Sequence, residues 1–264
     1  MSSNSKANRT GKRNWSDTFR AFGRAHRKAS SNLETSMPLL RHLEELRQRI
    51  FKAFFALVLT TGLSFVFARQ IIDYLTQPLG GSQALVSIEV TENIAIFMRV
   101  ALLSGIILAM PVILYQALSF VLPGLQSSEK RWLLLGVPVA SLLFLAGVAF
   151  AWFVMLPAAL PFLVNFLGIT TQVRPLNYFD FTTRIMFWLG LSFEMPLVIM
   201  ILAKFKLITA RQLIAGWRYA VVAIAVIAAA VTPTVDPVNM GLVMAPLTVL
   251  YIISIILAAI AGRS

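Results

Sequence analysis

Of the 264 residues, 58% are hydrophobic and only 13% charged, with a mean hydropathy of +0.78, whereas a soluble domain needs far more charge to cover its surface. The net charge of +12 does not mark a nucleic-acid binder, because the basic residues flank apolar runs instead of forming one continuous face. Cysteine is absent, which excludes disulfides, thiolate metal ligands and cysteine nucleophiles together.

Residues 1–36 are rich in Ser, Asn, Lys and Arg and hold few large apolar residues, so composition predicts a disordered basic tail ahead of a membrane domain at 37–264. An Arg- and Ser-rich, acid-poor tail also fits an organelle transit peptide, and a juxtamembrane segment drawn to anionic lipid is the plainer reading. From Pro38 an amphipathic helix is expected, with Ser36 as its N-cap. Leu40, Leu43, Leu46 and Ile50 fall on one stripe, which turns Glu45 and Arg49 to the opposite face.

Six apolar segments follow, at about 50–68, 94–116, 132–156, 181–203, 213–231 and 238–261, most of them close to the ~20 residues that cross ~30 Å of hydrocarbon. The fifth is short, and Arg218 near its start must snorkel or lean on neighbouring helices. Most of the 23 Lys and Arg lie before the first segment or in the even-numbered connections; Arg69, Arg99, Arg174 and Arg184 are the ones on the other side. That bias predicts both termini on the cytoplasmic or stromal side. The connections 69–93 and 157–180 are long and carry turn formers, which favours an ordered outer cap. No internal repeat is visible, which argues against an inverted-repeat transporter.

Catalytic constellations are missing: the 2 histidines are His26 and His42, and the chain has no HExxH, GxSxG or GxGD pattern. The first informative acid is Glu45, which faces away from the apolar stripe at a fixed depth where a carboxylate can accept a bidentate guanidinium; a local pair with Arg49 is the structural alternative. Glu129 follows the helix breakers Pro123 and Gly124 and opens the third segment, so it serves either as a receptor for a basic ligand or as a helix-capping acid. Phe120 and Leu125 read as interfacial anchors. Glu194 lies well inside the fourth segment, where a charged acid costs about 2.5–3.5 kcal/mol, and must face protein or water or be protonated. Pro196 interrupts that helix two residues on. Near the outer ends, Glu92 and Asp180 are the expected partners of Arg99 and Arg184, and Asp236 sits between Pro233 and Pro237 as a turn and capping residue.

Four stretches, "HLEELRQR", "PVILYQALSFVLPGLQSSEKR", "LSFEMP" and "TPTVDP", occur in this order among the six apolar segments. Together they resemble the TatC family, the receptor subunits of the twin-arginine protein translocase, over about residues 37–261. The resemblance implies a curved, glove-like bundle of six helices and binding of twin-arginine signal peptides through Glu45 and Glu129, with Arg47, Arg49, Phe120, Pro123 and Leu125 at the surrounding motif positions. It further implies that Glu194 is the family's intramembrane acid, that single-span TatA-like and TatB-like subunits are the partners, and that export of folded cargo draws on the protonmotive force. No enzymatic activity, cofactor or metal is expected. The competing class is a proton-coupled secondary transporter with Glu194 as proton carrier. Because the chain reads through from Met1, a cell inner membrane is the expected location, with the thylakoid membrane as the alternative.

Overall fold

The structure, a computed structural model, describes residues 15–81, 85–121, 130–164, 173–232 and 237–262, with 15–41, 121 and 130–135 described by backbone alone. Among these residues the regular elements are all helical. The first, α1 (Trp15–Leu75), starts well before Pro38 and so takes in most of the segment expected to be a disordered tail. The difference has a physical basis. Composition limits how much apolar surface a segment can bury, whereas its Ala, Arg, Lys, Leu and Glu residues still favour local helical hydrogen bonding. The chain divides into two compact units, 1–49 and 50–264.

Within the second unit, the remainder of α1 is followed by α2 (Glu92–Val121), α3 (Lys130–Phe150), a π-helical turn at Ala151–Met155, and α4 (Leu156–Val164). Then come α5 (Pro175–Phe193), α6 (Met195–Lys204), α7 (Ala210–Ala215), α8 (Trp217–Val231) and α9 (Pro237–Ala261). Five stretches are long and apolar enough to cross a membrane: His42–Leu79, Glu92–Phe120, Gly136–Val164, Pro175–Lys204 and Pro237–Ala261. They contain or overlap five of the six expected segments. The remaining one, the fifth, expected at 213–231, is broken at Gly216, and its apolar part α8 has only 15 residues, about 22 Å of helix.

The interruptions trace to residue chemistry. Pro157 and Pro161 have no N–H to donate, and the widened π turn lies immediately before them. Pro196 falls in the first turn of α6, just past a break at Glu194 where α5 ends. A capping box starts α7, with the Thr209 hydroxyl accepting from the Gln212 N–H at 3.3 Å and the Gln212 side chain accepting from the Thr209 N–H at 2.9 Å.

Helix α5 is central to the core. It packs against α2 and α3, and it also touches α8 and α9; Phe144, Leu156, Phe179, Ile185 and Leu189 are fully buried around it. Small residues set the closest approaches. A Cβ on Gly147 of α3 would lie 2.7 Å from the Leu189 carbonyl and 2.8 Å from Cα of Gly190 on α5. Gly105 of α2 is equally tight against α1, 2.7 Å from Cα of Thr61 by the same measure, and its carbonyl accepts the Thr60 hydroxyl at 2.8 Å. Backbones that approach this closely gain packing and polar contacts, which drive helix association where lipid removes the hydrophobic term. The α1 span is the least covered: 6% of its apolar window is buried, against 33–44% in the other four, as expected of a surface that faces lipid.

Candidate functional site

Helical periodicity places Glu45 and Arg49 one turn apart on α1, and the structure joins them. Arg49 donates from Nε at 3.0 Å and from Nη2 at 2.5 Å to the same Glu45 oxygen, Oε1, while His42 Nδ1 stands 4.0 Å from Oε2. Both members of the Arg49 pair are partly accessible, so the ion pair contributes little to stability, about 0.3–0.5 kcal/mol for an i,i+4 pair. Chemically, the site is a half-exposed carboxylate already oriented to accept a guanidinium. Glu44 and Arg47 point outward, as do Leu43 and Ile50 of the apolar stripe.

Of the other residues expected at the binding face, Phe120 is half-buried near the end of α2. Glu129, Pro123 and Leu125 lie outside the described residues, as does Asp236.

Glu194 is buried at the α5–α6 break, near the Phe144 backbone of α3. Among the described residues its Oε1 has no hydrogen-bond partner. A buried acid oxygen without a partner costs free energy unless it is protonated or meets another polar group.

A second polar cluster joins the N-terminal ends of α2 and α5. Asp180 pairs with both Arg99 and Arg184, the latter through Nε at 3.0 Å on Oδ2, as expected for Asp180. Glu92, the other partner expected for these arginines, instead takes Arg174. Its Oε1 accepts from Arg174 Nε at 3.2 Å and from the Leu176 N–H at 2.8 Å, and Oε2 accepts from the Ile88 N–H at 3.1 Å and the Ser87 hydroxyl at 3.3 Å. Arg174 also reaches Glu89 at 2.7 Å, and that hydrogen bond, reinforced by Glu92, holds its guanidinium above the ordinary arginine range. The sequence placed Arg174 among the outer basic residues without assigning it a partner. Its signal was position, immediately before the Pro175 that starts α5.

Comparison with known proteins adds an independent line. The family model described as "Sec-independent protein translocase protein (TatC)" matches residues 41–246. The TatC protein of Aquifex aeolicus is 38% identical over 238 residues, covering 86% of this chain and 97% of the relative. That of Deinococcus radiodurans is 34% identical over 234 residues, covering 85% and 87%. A chloroplastic TATC of Arabidopsis thaliana is 37% identical over 234 residues, covering 87% of this chain and 68% of the relative. Among solved structures, a crystal structure described as the twin-arginine translocase receptor TatC superposes with a TM-score of 0.76 at 35% identity, over 84% of this chain and 100% of that one.

Proposed function

The chain belongs to the TatC family of Sec-independent protein translocase components, and from that premise we propose that it binds the twin-arginine signal peptides of folded cargo through Glu45 and Glu129. As a family member it is a multi-pass membrane subunit that works with other components of the translocase. In the proposed reading its single-span partners are TatA-like and TatB-like, it sits in a cell inner membrane with both termini cytoplasmic, and transport draws on the protonmotive force.

The observation that best supports the reading is the Glu45 carboxylate, which accepts two donors from one guanidinium while staying partly accessible. An incoming arginine makes the same kind of forked bond and competes with a weak local pair, whereas lysine, a compact point charge, gains less from that geometry. Arg49 keeps the carboxylate oriented when no peptide is bound, and Arg47 supplies a second charge nearby on the same helix. Phe120, Pro123 and Leu125 contribute an apolar and turn-forming surface for the residues next to the twin arginine. Glu194 offers a polar contact to a partner's span. No step in this role is catalytic.

Binding of a fluorescent signal peptide to the detergent-purified protein tests the site. The Arg-Arg peptide should bind more tightly than its Lys-Lys counterpart, and Glu45→Ala or Glu129→Ala should remove that preference while the protein remains inserted. Equal, salt-sensitive binding of both peptides would return the two glutamates to pairing and capping roles.

A further inference from the structure

Two arginines share one acid on the surface formed by α2 and α5. Asp180 gives Oδ1 to Arg99 and Oδ2 to Arg184, so both guanidiniums are gathered around one carboxylate and the cluster carries a surplus positive charge. The side chains are 42% and 53% exposed respectively. Each guanidinium has five N–H donors, and Asp180 occupies one nitrogen on each. The neighbouring Glu89–Glu92–Arg174 cluster has the reverse stoichiometry, two acids to one base, and its acids are committed to Arg174 and backbone N–H groups. That cluster carries one surplus negative charge, so the two clusters together are neutral and the positive excess is local to Arg99, Arg184 and Asp180.

The surface beside the arginines is apolar. Trp188 and Leu191 follow Arg184 at one and two turns along α5, Leu102 follows Arg99 by one turn on α2, and Met98 adjoins it; all four are exposed. An aromatic side chain with aliphatic neighbours beneath a cationic pair is the pattern of a membrane interface, where long basic side chains reach toward headgroups. A ligand that satisfies both halves needs an anion with several acceptor oxygens joined to hydrocarbon.

We infer that Arg99 and Arg184, gathered by Asp180, bind the phosphate of an anionic phospholipid whose acyl chains lie along Met98, Leu102, Trp188 and Leu191. Asp180 holds the two guanidiniums together and competes with the phosphate for their donors. The lipid then stands beside the α2–α5 contact and fastens that contact to the bilayer.

The test is competitive retention of labelled phosphatidylglycerol by the full chain in dodecyl maltoside, against phosphatidylcholine and against inorganic phosphate. Wild-type protein should prefer phosphatidylglycerol, and millimolar inorganic phosphate should not displace it. Affinity should fall about fivefold in R99Q or R184Q and on the order of 25-fold in the double variant, the expected worth of basic side chains at an anionic lipid surface. R99K/R184K should keep most of the binding, and D180N should tighten it. If the double glutamine variant does not fold, D180N and R99K/R184K decide alone. Unchanged binding in the glutamine variants, weaker or unchanged binding in D180N, or displacement by inorganic phosphate would overturn the proposal.

Discussion

Glu92 shows how one residue can organise a loop. Its side chain is fully buried, yet its two oxygens accept hydrogen bonds from the chain before it, from Arg174 and from the first turn of α5. A carboxylate so placed supplies the acceptors that the Ile88 and Leu176 N–H groups would otherwise lack. Glu92→Gln keeps the volume but replaces one oxygen with a donor that faces other donors. It should lower the melting temperature in detergent, and by more than Glu89→Gln, which removes one exposed contact; equal shifts would mean that the network is not anchored on Glu92. The Glu45 and Arg49 pair behaves differently. It is local and weak, and its interest lies in the orientation it gives the carboxylate, which the peptide-binding comparison measures.

At the scale of elements, the α3–α5 crossing rests on the absence of two side chains. Gly147→Val places methyl groups where the Leu189 carbonyl and the Gly190 backbone already stand, so the helices must separate. Overpacking of this kind costs about 1–3 kcal/mol, and the variant should melt earlier in dodecyl maltoside and expose Phe144 and Leu189. Gly241 provides the contrast. It lies within α9 with nothing inside 4 Å of its would-be Cβ, so Gly241→Ala should be neutral or stabilising, by about 0.5–1 kcal/mol from helix propensity. Helix α8 poses the opposite problem, because at about 22 Å it is shorter than the ~30 Å hydrocarbon core and depends on its packing against α9 and α5. One of its supports is polar, the Tyr251 hydroxyl of α9 donating to the Leu213 carbonyl at 2.6 Å just before α8 begins.

For the whole molecule, the distribution of Lys and Arg predicts that the two ends of the chain share a side of the membrane and that residues 85–91 lie across it. Because the chain has no cysteine, a single introduced thiol gives an unambiguous label. Lys206→Cys and Gly262→Cys should react with an impermeant maleimide only from the cytoplasmic side, and Glu89→Cys only from the opposite side. Labelling of Gly262→Cys and Glu89→Cys from one side would refute the orientation.

The helical membrane class and five of the expected spans were legible in the sequence because a bilayer has no water to satisfy backbone groups, so a long apolar run must form a helix. The Glu45 and Arg49 contact was legible for a related reason: residues four apart on a helix are neighbours whatever the rest of the fold does. The start of α1 was not, since lack of a core does not forbid local helix. Nor was the division of the outer charges, in which Asp180 takes both expected arginines and Glu92 takes Arg174. Arg99 meets Asp180 across 81 positions and Arg174 meets Glu92 across 82, contacts that exist only because α2 and α5 pack side by side. Hydropathy and periodicity determined which segments enter the membrane; the tertiary structure alone decided how Glu92 and Asp180 divide Arg174 and Arg99 between them, because that depends on how α2 and α5 pack together.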